Sequence, residues 1–161
     1  MRLPSNKMWL LLLGLAVAGP AVAADEAAMP MPAWFVAPGQ TAAVQGEVPG
    51  RPAKGVMLFF WMEACGYCER MVSSTFRFDA VATSATAAFD AVGVNLFDDA
   101  PLPWLGGEPL SGRRLARYYQ VQTTPTTVFV DASGKELNRV VGYLPSKAFV
   151  REIELAARRK R

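Results

Sequence analysis

The chain has 161 residues, a formal net charge of +3, two cysteines and no histidine. That length suits one domain with a core large enough to stand without disulfide support. A balance of 17 basic against 14 acidic residues argues against a nucleic-acid or anionic-membrane binder driven by bulk charge. Two cysteines without a histidine cannot by themselves close the usual four-ligand zinc site.

Residues 1–23 read as a secretory signal peptide. Arg2 and Lys7 form a positive n-region, Met8 to Ala18 an apolar h-region broken by Gly19-Pro20, and Ala21-Val22-Ala23 an A-x-A cleavage site. The apolar core is about half the roughly 20 residues of a membrane helix, which makes an uncleaved anchor the alternative. Cleavage removes two basic residues and leaves 15 against 14, a nearly neutral mature chain. Export to the periplasm follows as the expectation, in a compartment where disulfides persist.

Residues 24–55 carry Pro30, Pro32, Pro38, Pro49 and Pro52 with four glycines, too many breaks for a long helix. Trp34-Phe35-Val36 is expected to form a short edge strand or a plug over a sheet. A docking arm for a partner is the functional alternative.

Val56 to Trp61 is continuously apolar, as in a central strand buried on both faces. It stops at Cys65-Gly66-Tyr67-Cys68, after which a helix is expected over 66–74 with Met71 and Val72 in the core. This order puts Cys65 at a helix N-terminus, where unpaired N–H groups and the helix dipole favour negative charge and lower a thiol pKa. A redox-active pair is therefore the reading. A purely structural staple is the alternative, and closing four residues is worth only about 2 kcal/mol on the chain-entropy relation.

Beyond the pair, Asp79 is expected to cap a helix reaching about Phe89, and Ala91 to Phe97 to form a strand. Residues 98–110, with Pro101, Pro103 and Gly106-Gly107, read as a loop carrying Trp104. Ser111 caps a helix to about Tyr119, and Thr127–Asp131 and Glu136–Val141 form an antiparallel hairpin around Ala132-Ser133-Gly134-Lys135. Ser146 is expected to cap a last helix whose apolar side chains are Phe149, Val150, Ile153 and Leu155. The cations Arg158 to Arg161 at its end complement the dipole.

From Val56 to about Ala157 the chain resembles the thioredoxin superfamily. The resemblance rests on Trp61 four residues before Cys65, the Cys-Gly-Tyr-Cys motif, Thr124-Pro125 opening a strand, and Val141-Gly142 after the hairpin. Thr124 to Thr126, Asp131 to Glu136 and Arg139 to Tyr143 are similar to motifs of periplasmic thioredoxins associated with sulfur oxidation, and Cys-Gly-Tyr-Cys to that of bacterial disulfide isomerases. The resemblance implies an α/β thioredoxin fold over 56–161, with a central mixed sheet flanked by helices. It implies Cys65 as nucleophile and Cys68 as resolving thiol, with Gly66, Tyr67, cis-Pro125, Thr124 and Gly142 facing a protein disulfide or dithiol substrate. Trp61 and Glu63 would support the pair, with no cofactor.

The chain departs from that pattern in two places. The buried aspartate expected six residues before the first cysteine is Phe59, and the aromatic expected just before it is Ala64. Proton removal from Cys68 is thereby unassigned, with Glu63 the nearest carboxylate on the N-terminal side. Glu69 and Arg70 read as surface helix residues. No histidine stands between the cysteines, which favours a reductase or isomerase over an oxidase. With no separate dimerisation domain in view, a monomeric reductase is expected, re-reduced by a membrane or periplasmic electron donor. A redox-silent interaction module around Tyr67, Thr124 and Gly142, and a metal held by cysteines of two molecules, are the readings from other classes.

Overall fold

A computed structural model describes residues 29–41, 54–104 and 108–160. The segment read as a signal peptide lies outside them. Among the described residues no helix is long and apolar enough to cross a membrane.

Four strands make one mixed sheet in the order β2-β1-β3-β4. Strand β1, Gly55–Trp61, is buried throughout, as its unbroken apolar run requires. It pairs parallel with β2, Phe89–Asn95, and antiparallel with β3, Thr126–Val130. Strand β4, Glu136–Val141, closes the hairpin with β3. Successive side chains of β1 alternate between two cores. Met57, Phe59 and Trp61 pack on one face with Phe76, Phe129, Phe149 and Ile153, and Val56, Leu58 and Phe60 on the other with Leu115, Ala116 and Tyr119.

Helix α1, Gly66–Arg70, runs on into a π-helical turn, Met71–Thr75, and is followed by α2, Asp79–Ala88. Helices α3, Gly112–Tyr118, and α4, Ser146–Arg159, complete the flanks. Ser111 caps α3 as expected, its side chain accepting from the Arg114 N–H. Asp79 and Ser146 do not cap. Phe78 and Pro145 hold those positions without a side-chain hydrogen bond, and the two polar residues lie one step inside. Extended backbone at Phe78 and Pro145 already turns the chain into each helix, and Asp79 in the first turn complements the dipole instead.

The hairpin turn is built by Asp131, whose Oδ1 accepts from the Ser133 N–H at 2.8 Å and the Lys135 N–H at 3.0 Å. Burial pushes this carboxyl up, but those bonds and the Ser133 hydroxyl outweigh it and hold it below the ordinary value. Gly134 supplies the φ of +86° that the turn needs. Arg139 pairs with Glu136 at 2.7 Å. The Asp131 to Glu136 stretch is thus a turn at the sheet end opposite the cysteines.

Residues 29–41 pack onto this frame. Trp34 and Phe35 join Phe76 and Phe59 in one aromatic cluster, and the Trp34 indole N–H donates to the Phe76 carbonyl at 3.0 Å. Phe35 makes a single parallel bridge to Ala91 at the free edge of β2, so the segment is both edge strand and plug.

Candidate active site

The parallel pairing of β1 with β2 places Trp61 opposite Asn95 at one end of the sheet, and there the chain leaves β1. Ala64, at φ +54°, turns it so that Cys65 arrives as the N-cap of α1. Cys65 and Cys68 form a disulfide. The Cys65 sulfur accepts from the Cys68 N–H at 3.2 Å, and the Thr124 hydroxyl donates to it at 3.5 Å. Both donors are placed to stabilise a thiolate on Cys65.

The two sulfurs differ in access. Cys65 is 7% exposed and Cys68 is fully buried, packed with Met71, Val72 and Phe59 in the first core. Around Cys65 the surface is open. A side chain at Gly66 or Gly142 would meet nothing within 4 Å, and Tyr67 is 63% exposed. Gly142, at φ +83°, donates its N–H to the Pro125 carbonyl at 2.8 Å. The Thr124–Pro125 peptide bond is cis.

Trp61 is buried at the end of β1, its carbonyl accepting from the Leu96 N–H at 2.9 Å. Glu63 is exposed, and its carboxylate accepts from the Asn95 side-chain amide at 2.9 Å. Among the described residues no carboxylate is buried, and Phe59, where the superfamily pattern has aspartate, is sealed among rings. No group of three or more His, Cys, Asp or Glu among the described residues is placed to hold a metal.

Sequence reasoning left Arg70 and Tyr143 out of this neighbourhood. The Arg70 guanidinium lies 4.5 Å from the Tyr143 ring centroid, and that ring is 6.4 Å from Tyr67. The i,i+3 spacing of Tyr67 and Arg70 was the available signal for a shared face. Their meeting with Tyr143 depends on the return of β4, which no local pattern reports.

An accessible sulfur at a helix N-terminus, beside a buried one a helical turn on, is a machine for thiol–disulfide exchange. The fold and this pair define a thiol–disulfide redox domain. The chain belongs to the thioredoxin-like family, whose model, described as a thioredoxin-like domain, matches residues 33–157.

Solved structures agree. A thioredoxin-fold protein from Helicobacter pylori is 28% identical with a TM-score of 0.58, covering 66% of this chain and 70% of that one. A thioredoxin from Thermus thermophilus is 29% identical with a TM-score of 0.54, covering 66% and 76%. A DsbH oxidoreductase shares the fold at 21% identity and a TM-score of 0.54, covering 87% and 93%. Comparison with curated protein sequences finds no significant match.

Proposed function

We propose that the protein is an exported thiol-disulfide oxidoreductase that reduces disulfides of periplasmic partner proteins through a Cys65/Cys68 cycle. The observation that carries the reading is the asymmetry of the pair: Cys65 at a helix N-cap with two donors to its sulfur, Cys68 buried behind it. The likeness to a thioredoxin supports it.

In the reduced protein the Cys65 thiolate attacks one sulfur of a partner disulfide. A mixed disulfide forms and the partner's other sulfur leaves as a thiolate, taking a proton from solvent. Cys68 then loses its proton and attacks the Cys65 sulfur, closing the intramolecular disulfide and releasing the partner's second sulfur as a thiol. The partner gains two electrons and two protons, and a membrane or periplasmic dithiol donor returns the same to the protein.

Gly66, Tyr67, Thr124, Pro125 and Gly142 surround the attacked sulfur in this reading, with Trp61 and Glu63 supporting the turn. The Gly-Tyr dipeptide brings no histidine to stabilise the Cys65 thiolate strongly, and known potentials run from about −270 mV for reducing members to about −120 mV for the strongest oxidant. Residues 1–23 act as the cleaved leader and 24–55 as an extension preceding the domain of 56–161, which works as a monomer.

Cys68→Ser expressed with its leader should accumulate mixed disulfides with exported proteins, visible on non-reducing gels and abolished by adding Cys65→Ser. Absence of any adduct would leave a redox-silent interaction module as the better account.

A further inference from the structure

The exposed end of the sheet is not symmetric about the disulfide. In the strand order β2-β1-β3-β4, Cys65 follows β1, and the two edges differ in charge. Beyond β2 lie Asn95-bound Glu63 and the pair Asp98-Asp99, of which Asp99 is matched by Arg113 at 2.9 Å. Beyond β4 lies Tyr143, carrying the Arg70 guanidinium on its ring.

The β4 flank is built as a shelf. Tyr67 and Arg70 share one face of α1 by their spacing, while Glu69, two positions from Tyr67, points off it. Rings 67 and 143 lie at an interplanar angle of 33°. The Tyr143 segment is fixed to the helix behind the disulfide, because the Thr75 hydroxyl donates to the Leu144 carbonyl at 2.8 Å and the Leu144 N–H meets the Met71 sulfur at 3.4 Å. Among the described residues no carboxylate pairs with Arg70. The Ser74 hydroxyl, with Thr75 and the Arg70 cation, holds the phenol of the half-buried Tyr143 below the ordinary tyrosine value.

We propose that Tyr67, Tyr143 and Arg70 select the partner: an extended protein segment carrying an aspartate or glutamate beside its target cysteine, on the side that lies over Tyr143. The exposed Tyr67 ring offers its surface to the segment's apolar atoms, and the guanidinium held over Tyr143 offers charge-assisted hydrogen bonds to its carboxylate. A lysine in the same place meets Arg70 as a like charge, so the shelf discriminates by repulsion as well as attraction.

The inference rests on the exchange reaction proposed above, and the test separates the two. The reduced full-length protein is presented with disulfide peptides identical except for Glu or Lys flanking the cysteine, first on one side and then on the other. The wild type should reduce the Glu peptide about fivefold faster than the Lys peptide on one flank, as expected of an exposed charge pair, with the ratio falling towards one in high salt. Arg70→Gln should erase the ratio and Arg70→Glu invert it. Each ratio is taken on one protein, so any change in Cys65 reactivity cancels. A wild-type ratio of one on both flanks, or a ratio unmoved by Arg70→Glu, would overturn the inference. Failure to reduce even the uncharged 2-hydroxyethyl disulfide would overturn the underlying reading instead.

Discussion

The Thr124 hydroxyl donates to the Cys65 sulfur at 3.5 Å, joining the residue before cis-Pro125 to the more accessible cysteine across 59 positions of sequence. A hydrogen bond to the charged form of an acid stabilises that form. Thr124→Val keeps the shape and removes the donor, so the Cys65 thiol should titrate higher, by about one pKa unit, given roughly 1.4 kcal/mol per unit and the weak end of hydrogen bonds to charged groups. Thiolate absorbance of the reduced protein across a pH series checks it. An unmoved midpoint would assign thiolate stabilisation to the helix end alone.

Phe59 occupies the place where a buried aspartate was expected, and the cluster around it explains why. Its ring meets Phe76 edge-on at 4.8 Å and Phe35 at 6.4 Å, fully buried in the first core. Phe59→Ala should cost about 3–5 kcal/mol in urea unfolding. Phe59→Asp should cost at least as much, since it adds an unpaired buried carboxylate. Recovery of wild-type stability by Phe59→Asp would mean that the cluster is mispacked.

Two glycines separate strain from space. Gly142 is open to solvent but left-handed, so Gly142→Ala should lose about 1–2 kcal/mol through its backbone alone. Gly112 is the reverse, its missing Cβ directed at the Asn95 carbonyl oxygen, and Gly112→Ala has to displace the start of α3. Thermal unfolding should rank Gly112→Ala as the more damaging.

Tyr119 donates its buried phenol to the Gly134 carbonyl at 2.9 Å. Burial, with Tyr118, Glu136 and Asp131 nearby, pushes its pKa well above the ordinary tyrosine range. The folded-state value is raised, so this stabilisation is fully present below the unfolded tyrosine value of about 10 and is lost as pH rises above it. Unfolding free energy should decline above pH 10, and the decline should flatten in Tyr119→Phe. That variant should also lose about 1 kcal/mol at neutral pH.

Much of this fold was legible because it is written locally. The apolar run at 56–61, the turn residues at 131–135, Ser111 and the cysteine pair each act within a few residues, while the mixed sheet with flanking helices was implied by the family resemblance. What pairing decides was less legible. The second strand was expected over 91–97 and runs Phe89–Asn95, because Phe89 aligns with Gly55, the one residue of β1 that leaves room for its ring. The π-helical turn at Met71–Thr75 carries no sequence signal, and the Arg70–Tyr143 contact depends on the return of β4. Trp34 and Phe35 read locally as an edge strand or plug and are both, but which rings they cover, Phe76 and Phe59, lies far along the chain and carries no local signal.

The central claim is that Cys65 is an acidified, reachable nucleophile, and alkylation of the folded Cys68→Ser protein across a pH series tests it most directly. The account predicts a rate whose midpoint lies clearly below the free-thiol value of about 8.5, with complete modification at neutral pH. A midpoint at or above that value, or a sulfur that reacts only after unfolding, would contradict it.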